Sequence, residues 1–167
     1  FGNLSASANY DYLHGYRKFE AEGITPRHWF GEGSSYTTYT YSDLTLLCTG
    51  AVSSGGRLNF EVTVTNTGAM AGDEIVQAYV GYPSSSARRP PKELKTFARV
   101  SLAPGESKVV QLAIPMTDTA YWSDGGWVVE QGMHTLLVGP SADPGQICTP
   151  RCSLVAYCAQ PGVGFAY

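Results

Sequence analysis

Within the run RLNFEVTVTNTG, residues 57–68, the first eight positions alternate without a break. Leu58, Phe60, Val62 and Val64 are apolar, and Arg57, Asn59, Glu61 and Thr63 are polar. A period of two puts these sets on opposite faces of an extended chain, so the run reads as a half-buried strand. Asn66-Thr67-Gly68 ends it with turn-forming residues. Strand-like runs recur on both sides: YTTYTYSDLTLL at 36–47, DEIVQAYVGYP at 73–83, KELKTFARVSL at 92–102 and SKVVQLAIP at 107–115. TAYWSDGGWVVEQG, 119–132, reads as a hairpin with Asp124-Gly125-Gly126 at its tip, and MHTLLVGPS, 133–141, closes the series. About seven strands at spacings of roughly 8–15 residues predict an all-β, antiparallel sandwich of immunoglobulin or fibronectin type III-like form.

Residues 1–35 have a different texture. Tyr10, Tyr12, Tyr16 and Phe19 are dense, yet no period of two is sustained. Leu13 to Glu22 fits a short helix ending at Gly23, and GITPRHWFGEGSSY, 23–36, is loop-like. The expected organisation is an irregular N-terminal arm at 1–35, a sandwich at 36–141 and a Cys-rich extension at 142–167. The chain has 167 residues, enough to bury a core without a metal. A net charge of −3 argues against nucleic acid or an anionic membrane as partner, since both select excess positive charge. No apolar run approaches the ~18 residues of a membrane span.

Two features predict a secreted, extracellular protein. Asn3-Leu4-Ser5 is a glycosylation sequon. Cys48, Cys148, Cys152 and Cys158 are even in number and fit two disulfides that staple the C-terminal tail to the body, the pairing left open. Their spacing lacks the paired C-x2-C knuckle of most structural zinc sites, so no metal and no cofactor is expected. The N-terminus carries neither an initiating Met nor a signal-peptide core and reads as a mature or cleaved end.

Longer motifs occur in a recognisable order: GYRKFEAEGITPRHWFGEGSSYTTYTYSDL (15–44), VTVTNTGAMAGDEIVQAYVGYP (62–83), RRPPKELKTFARVSLAPGESKVV (88–110) and DTAYWSDGGWVVEQGMHTLLVGPS (118–141). Together they resemble the C-terminal fibronectin type III-like domain of glycoside hydrolase family 3, the family of many secreted β-glucosidases and β-xylosidases, with the arm leading into it. The chain departs from that family at Glu32, where an aromatic residue or His is usual, and at Ser34, often Leu. Residues 1–14 and the tail from about 145 do not match. The resemblance places the catalytic aspartate in an N-terminal barrel domain and the acid/base glutamate in a middle α/β domain. No position here matches either motif, so the resemblance implies a non-catalytic scaffold or interaction domain. Its expected partner is the remainder of a family 3 glycosidase, or a second copy met through the aromatic arm.

Candidate sites are few. A retaining glycosidase needs two carboxyls about 5–5.5 Å apart across a sugar pocket. Asp43, Glu61, Asp73, Glu74, Glu93, Glu106, Asp118, Asp124 and Glu130 are scattered and fall mostly at turns or outward strand positions, as solvated side chains do. Tyr121, Trp122 and Trp127 flank the hairpin tip. Exposed, they would stack on sugar faces and make a carbohydrate- or cell-wall-binding module with polysaccharide as partner; buried, they would anchor the hairpin, and the resemblance favours a structural role for Trp122. Tyr12, Tyr16, Phe19, His28, Trp29 and Glu32 are the arm's interface candidates, the last three also the first place to look if the sandwich had evolved its own chemistry. Arg88, Arg89, Lys92, Lys95 and Arg99 resemble a basic footprint. Glu93 and Glu106 interrupt it, and Pro90-Pro91 removes two amide donors, so the segment reads as structural. Parity sends Lys92 and Lys95 to opposite faces, and Leu94 and Phe97 likewise unless a bulge intervenes.

Overall fold

A computed structural model describes residues 10–47, 52 and 54–148. Among these residues eight strands form, all paired antiparallel: β1 (Tyr39–Leu46), β2 (Arg57–Asn66), β3 (Gly72–Gly81), β4 (Lys92–Leu102), β5 (Ser107–Pro115), β6 (Tyr121–Ser123), β7 (Gly126–Val128) and β8 (Thr135–Gly139). One sheet has the order β1-β2-β5, a second β4-β3-β8, and β6-β7 is a separate ribbon. The alternation in β2 holds: Leu58, Phe60, Val62 and Val64 are buried. They meet Val110, Leu112 and Ile114 of β5 and, from the second sheet, Val76, Ala78, Val80, Leu136 and Val138 in one core.

The tip of the β6-β7 ribbon was legible from its residues. Asp124 and Gly125 both have positive φ, 48° and 81°, as a tight two-residue hairpin loop requires. The helix α1 is shorter than expected, Tyr16–Ala21, because Gly15 turns the chain with φ 59° just before it. It ends where expected, at Gly23 with φ 66°, and the Ile24 N–H returns to the Phe19 carbonyl at 2.7 Å.

The staple predicted for the C-terminal tail is overturned. No disulfide bond is present among the described residues, and Cys148 is a free thiol. What holds the start of the tail is backbone: Cys148 and Val138 exchange two hydrogen bonds of 2.7 and 3.0 Å along the outer edge of β8. The Cys148 Sγ lies 3.9 Å from the Tyr41 carbonyl oxygen, and burial pushes the thiol pKa up. An even count of cysteines carries no information on whether two Cα atoms come within bridging distance. Cys48, Cys152, Cys158 and the Asn3 sequon lie outside the described residues.

Two polar side chains tie the sheets together. Asn66, fully buried at the end of β2, accepts from Thr37 Oγ1 at 2.6 Å and the Gly68 N–H at 3.0 Å, and donates to the Met70 and Leu102 carbonyls at 2.8 and 3.1 Å. Tyr41 of β1 donates its hydroxyl proton to Glu74 of β3 at 2.6 Å. Glu74 is not the solvated acid expected of a turn-flanking position; it is buried, and burial raises its pKa above the ordinary 4.5 while the Tyr41 bond opposes the rise. A raised carboxyl binds its proton more tightly when folded, so it costs stability above its folded pKa and ceases to do so below about 4.5. Glu74→Gln is therefore expected to be more stable than the parent at pH 7, by a few tenths to about 1 kcal/mol. The two urea midpoints should converge as the pH is lowered towards 4.5; a gap that widens on acidification would contradict this.

Candidate interface and aromatic sites

From residue 10 onward the arm is a layer of the fold. It lies on the outer face of the β4-β3-β8 sheet, where strand parity leaves Gln77 and Tyr79 pointing away from the core. Tyr79 is nevertheless fully buried, because Tyr16 of α1 meets its ring edge-to-face at 6.2 Å and itself stacks on Phe30 at 4.7 Å. The Tyr16 hydroxyl accepts the Leu94 N–H at 3.0 Å. Gln77 donates to the Gly31 carbonyl at 3.1 Å and to the Pro140 carbonyl, and receives the Tyr79 hydroxyl at 2.6 Å. Gly31 has φ 79°, and a Cβ there would sit 2.1 Å from Gln77 Oε1, so only glycine fits the crossing.

Charge fixes the same contact. Arg17 and Glu20 of α1 reach the adjacent residues Glu93 and Lys92 of β4, at 3.4 and 2.8 Å. Glu93 also pairs with Arg89 at 3.2 Å and Lys95 at 3.0 Å. These are enclosed groups: the side chains of Arg89, Lys92 and Glu93 are 3, 2 and 10% exposed. The Arg89 guanidinium lies on the Tyr82 ring, 3.3 Å from its centroid. Burial pushes the Glu93 pKa up, but Lys95 and Arg17 outweigh it and hold the carboxyl below its ordinary value. Arg89, Lys92, Glu93 and Lys95 are structural, as the segment was read, while Arg88 and Arg99 at its ends are exposed and pair with Asp11 and Asp73. Lys95 occupies a bulge in β4, since Ala78 pairs with Thr96 while Tyr79 pairs with Leu94. The extra residue places Leu94 and Phe97 on one face, the exception that parity allowed.

The remaining arm candidates separate by environment. Tyr12 and Phe19 are exposed, as are Tyr10, Phe30 and Tyr36. His28 Nδ1 lies 3.3 Å from Glu32 Oε1, and Glu32 Oε2 accepts the Trp29 N–H at 2.8 Å. That amide bond, then His28, lowers the Glu32 pKa, which suits a turn-capping carboxylate and not a general acid. Among the described residues no three His, Cys, Asp or Glu side chains gather to hold a metal ion.

At the hairpin, Trp122 and Trp127 are a cross-strand pair, 60 and 72% exposed, with rings edge-to-face at 5.5 Å and 80°. Neither ring is buried, so the alternative in which burial of these rings anchors the hairpin does not hold; β6-β7 is a sheet separate from the other two. Tyr121 pairs with Val128 one residue along and so faces the other side of the ribbon, with the Arg89 guanidinium 5.5 Å from its ring. The three aromatic candidates are thus a pair and a separate residue.

Residues 74–142 match the fibronectin type III-like domain family. The chain aligns over most of its length with β-glucosidases, so the resemblance to glycoside hydrolase family 3 holds. It is 44% identical over 130 residues to thermostable β-glucosidase B of Acetivibrio thermocellus, covering 77% of this chain and 17% of that one. It is 39% identical over 145 residues to β-glucosidase cel3A of Pyricularia oryzae, covering 76 and 20%. Among solved structures, β-glucosidase 3B from Thermotoga neapolitana in complex with α-D-glucose superposes with TM-score 0.73 at 38% identity, covering 82% of this chain and 18% of that one. The chain therefore spans about a fifth or less of the length of these relatives. The matched stretch corresponds to a small part of much larger β-glucosidases.

Proposed function

We propose that the chain is the C-terminal, non-catalytic scaffold part of a secreted family 3 β-glucosidase, and that its arm docks on the remainder of that enzyme. The observation that carries this reading is the split character of the arm. One side is fixed to the sheet by Tyr16, Arg17 and Glu20. Tyr10, Tyr12, Phe19 and Phe30 remain exposed along the same segment, and Tyr36 just after it. Rings held on a layer seated on the sheet and left open to water mark an interaction surface. On this reading residues 1–35 are the connecting arm, 36–141 the sandwich and 142–167 an extension. Secretion belongs to the reading as well and is supported by the Asn3 sequon and by the resemblance to a family of secreted enzymes.

The test is reconstitution. The purified chain is expected to show no hydrolysis of an aryl β-glucoside. Mixed with Thermotoga neapolitana β-glucosidase 3B lacking its matching portion, it is expected to co-sediment, and Tyr12→Ser/Phe19→Ser should weaken that association. Saturable turnover by the chain alone would overturn the non-catalytic reading. Absence of co-sedimentation, with dimers of the chain that the same substitutions dissolve, would transfer the surface to self-association.

A further inference from the structure

The Trp122–Trp127 pair plays no part in the docking surface, and its exposure has no counterpart in the core. We infer that these two rings form a stacking site for a pyranose sugar. The β6-β7 ribbon is a sheet of its own, and both rings of the pair are exposed to solvent. Two indoles at 80° make an open corner with one flat wall and one edge-on wall. A ligand for it needs a flat apolar face towards the ring and polar groups towards water, because both rings stay wet on their outer sides. A pyranose with equatorial hydroxyls has this form: its axial C–H bonds line each face and its hydroxyls lie on the rim. The hairpin tip beside the corner is polar, with Ser123 Oγ donating to Asp124 Oδ2 at 3.0 Å.

Size decides against a protein partner. At 60 and 72% exposure the two rings offer at most roughly 330 Å². A stable protein interface needs about 800 Å² on each side. One sugar ring, or two linked ones, matches the smaller area. A nucleobase would bring phosphate to a chain of net charge −3.

The test uses the full chain and four probes: cellotetraose, xylotetraose, maltotetraose and tetramethylammonium chloride. Cellotetraose or xylotetraose is expected to change indole fluorescence saturably, and the amide shifts of the 15N-labelled chain should move at 121–128. Trp122→Ala and Trp127→Ala should each raise Kd at least about tenfold, or 1.4 kcal/mol. Tyr121→Phe, on the opposite face, should leave Kd unchanged. Loss of binding through fraying of the hairpin is distinguished by the shift map of the unaltered chain, which locates the ligand without any substitution. No saturable response to any of the sugars would overturn the inference. So would shifts centred away from 121–128, equal binding by the double Ala variant, or a response to tetramethylammonium alone. None of these results bears on co-sedimentation through the arm.

Discussion

Glu93→Gln is expected to lower unfolding stability by about 3–5 kcal/mol, the cost of leaving buried cations without their carboxylate. The parent side chain is 10% exposed and answers three cations, Arg17, Arg89 and Lys95. Glutamine keeps the shape and removes the charge, so Arg89, at 3% exposure, is left facing like charge in a dry site. Removing Arg17 instead should cost little, about 1 kcal/mol or less, because a third of that side chain is in water. The pH dependence has a definite sign. The folded pKa of Glu93 is below its ordinary 4.5, so its contribution is complete above about 4.5 and is lost as the pH falls further, through the folded value. Urea denaturation of parent and variant at pH 7 should differ in midpoint with equal slopes, and the difference should shrink in acid below 4.5. Equal midpoints at pH 7 would show that the cations find other partners or water.

Asn66→Ala is expected to be the second severe change, about 3 kcal/mol or more, since each buried group left without its hydrogen bond costs about 1–3 kcal/mol. One amide serves four partners, and the Thr37 hydroxyl and the Leu102 carbonyl would lose theirs inside the fold. Asn66→Asp separates size from chemistry: it preserves the two accepted bonds and destroys both donated ones. It too should be strongly destabilised at pH 7, with part of the loss recovered when the carboxyl is protonated. Guanidinium midpoints for the two variants measure this directly. A loss of under 1 kcal/mol in both would mean that water replaces the amide, and Asn66 would then be a turn residue only.

The strand content was readable because it depends on local pattern. The alternation at 57–64 needs one buried face and nothing else, and the Asp124-Gly125 loop needs only residues that tolerate positive φ. The arm was not readable in the same way. Its contacts lie far along the chain, as with Tyr16 and Leu94, separated by 78 residues. Glu74 and Glu93 were misjudged as solvated for a related reason: a carboxylate at a strand end looks the same in sequence whether water or another layer covers it. The Cys148 thiol shows the limit of counting, since parity in number does not bring two sulfur atoms together. At the hairpin, composition marked the rings, but only the register shows that Trp122 and Trp127 share a face without Tyr121.

The grip of α1 on β4 has a consequence for the order in which the chain can fold. Glu20 and Lys92 are 72 residues apart, and β1, β2 and β3 are encoded between them. During synthesis the arm emerges early and has no seat until β3 and β4 have paired. Its charges must then close one of the longest loops in the domain, which places the contact late, after the sheets. A segment that docks last also detaches first, so the arm is the part through which the domain is expected to begin unfolding.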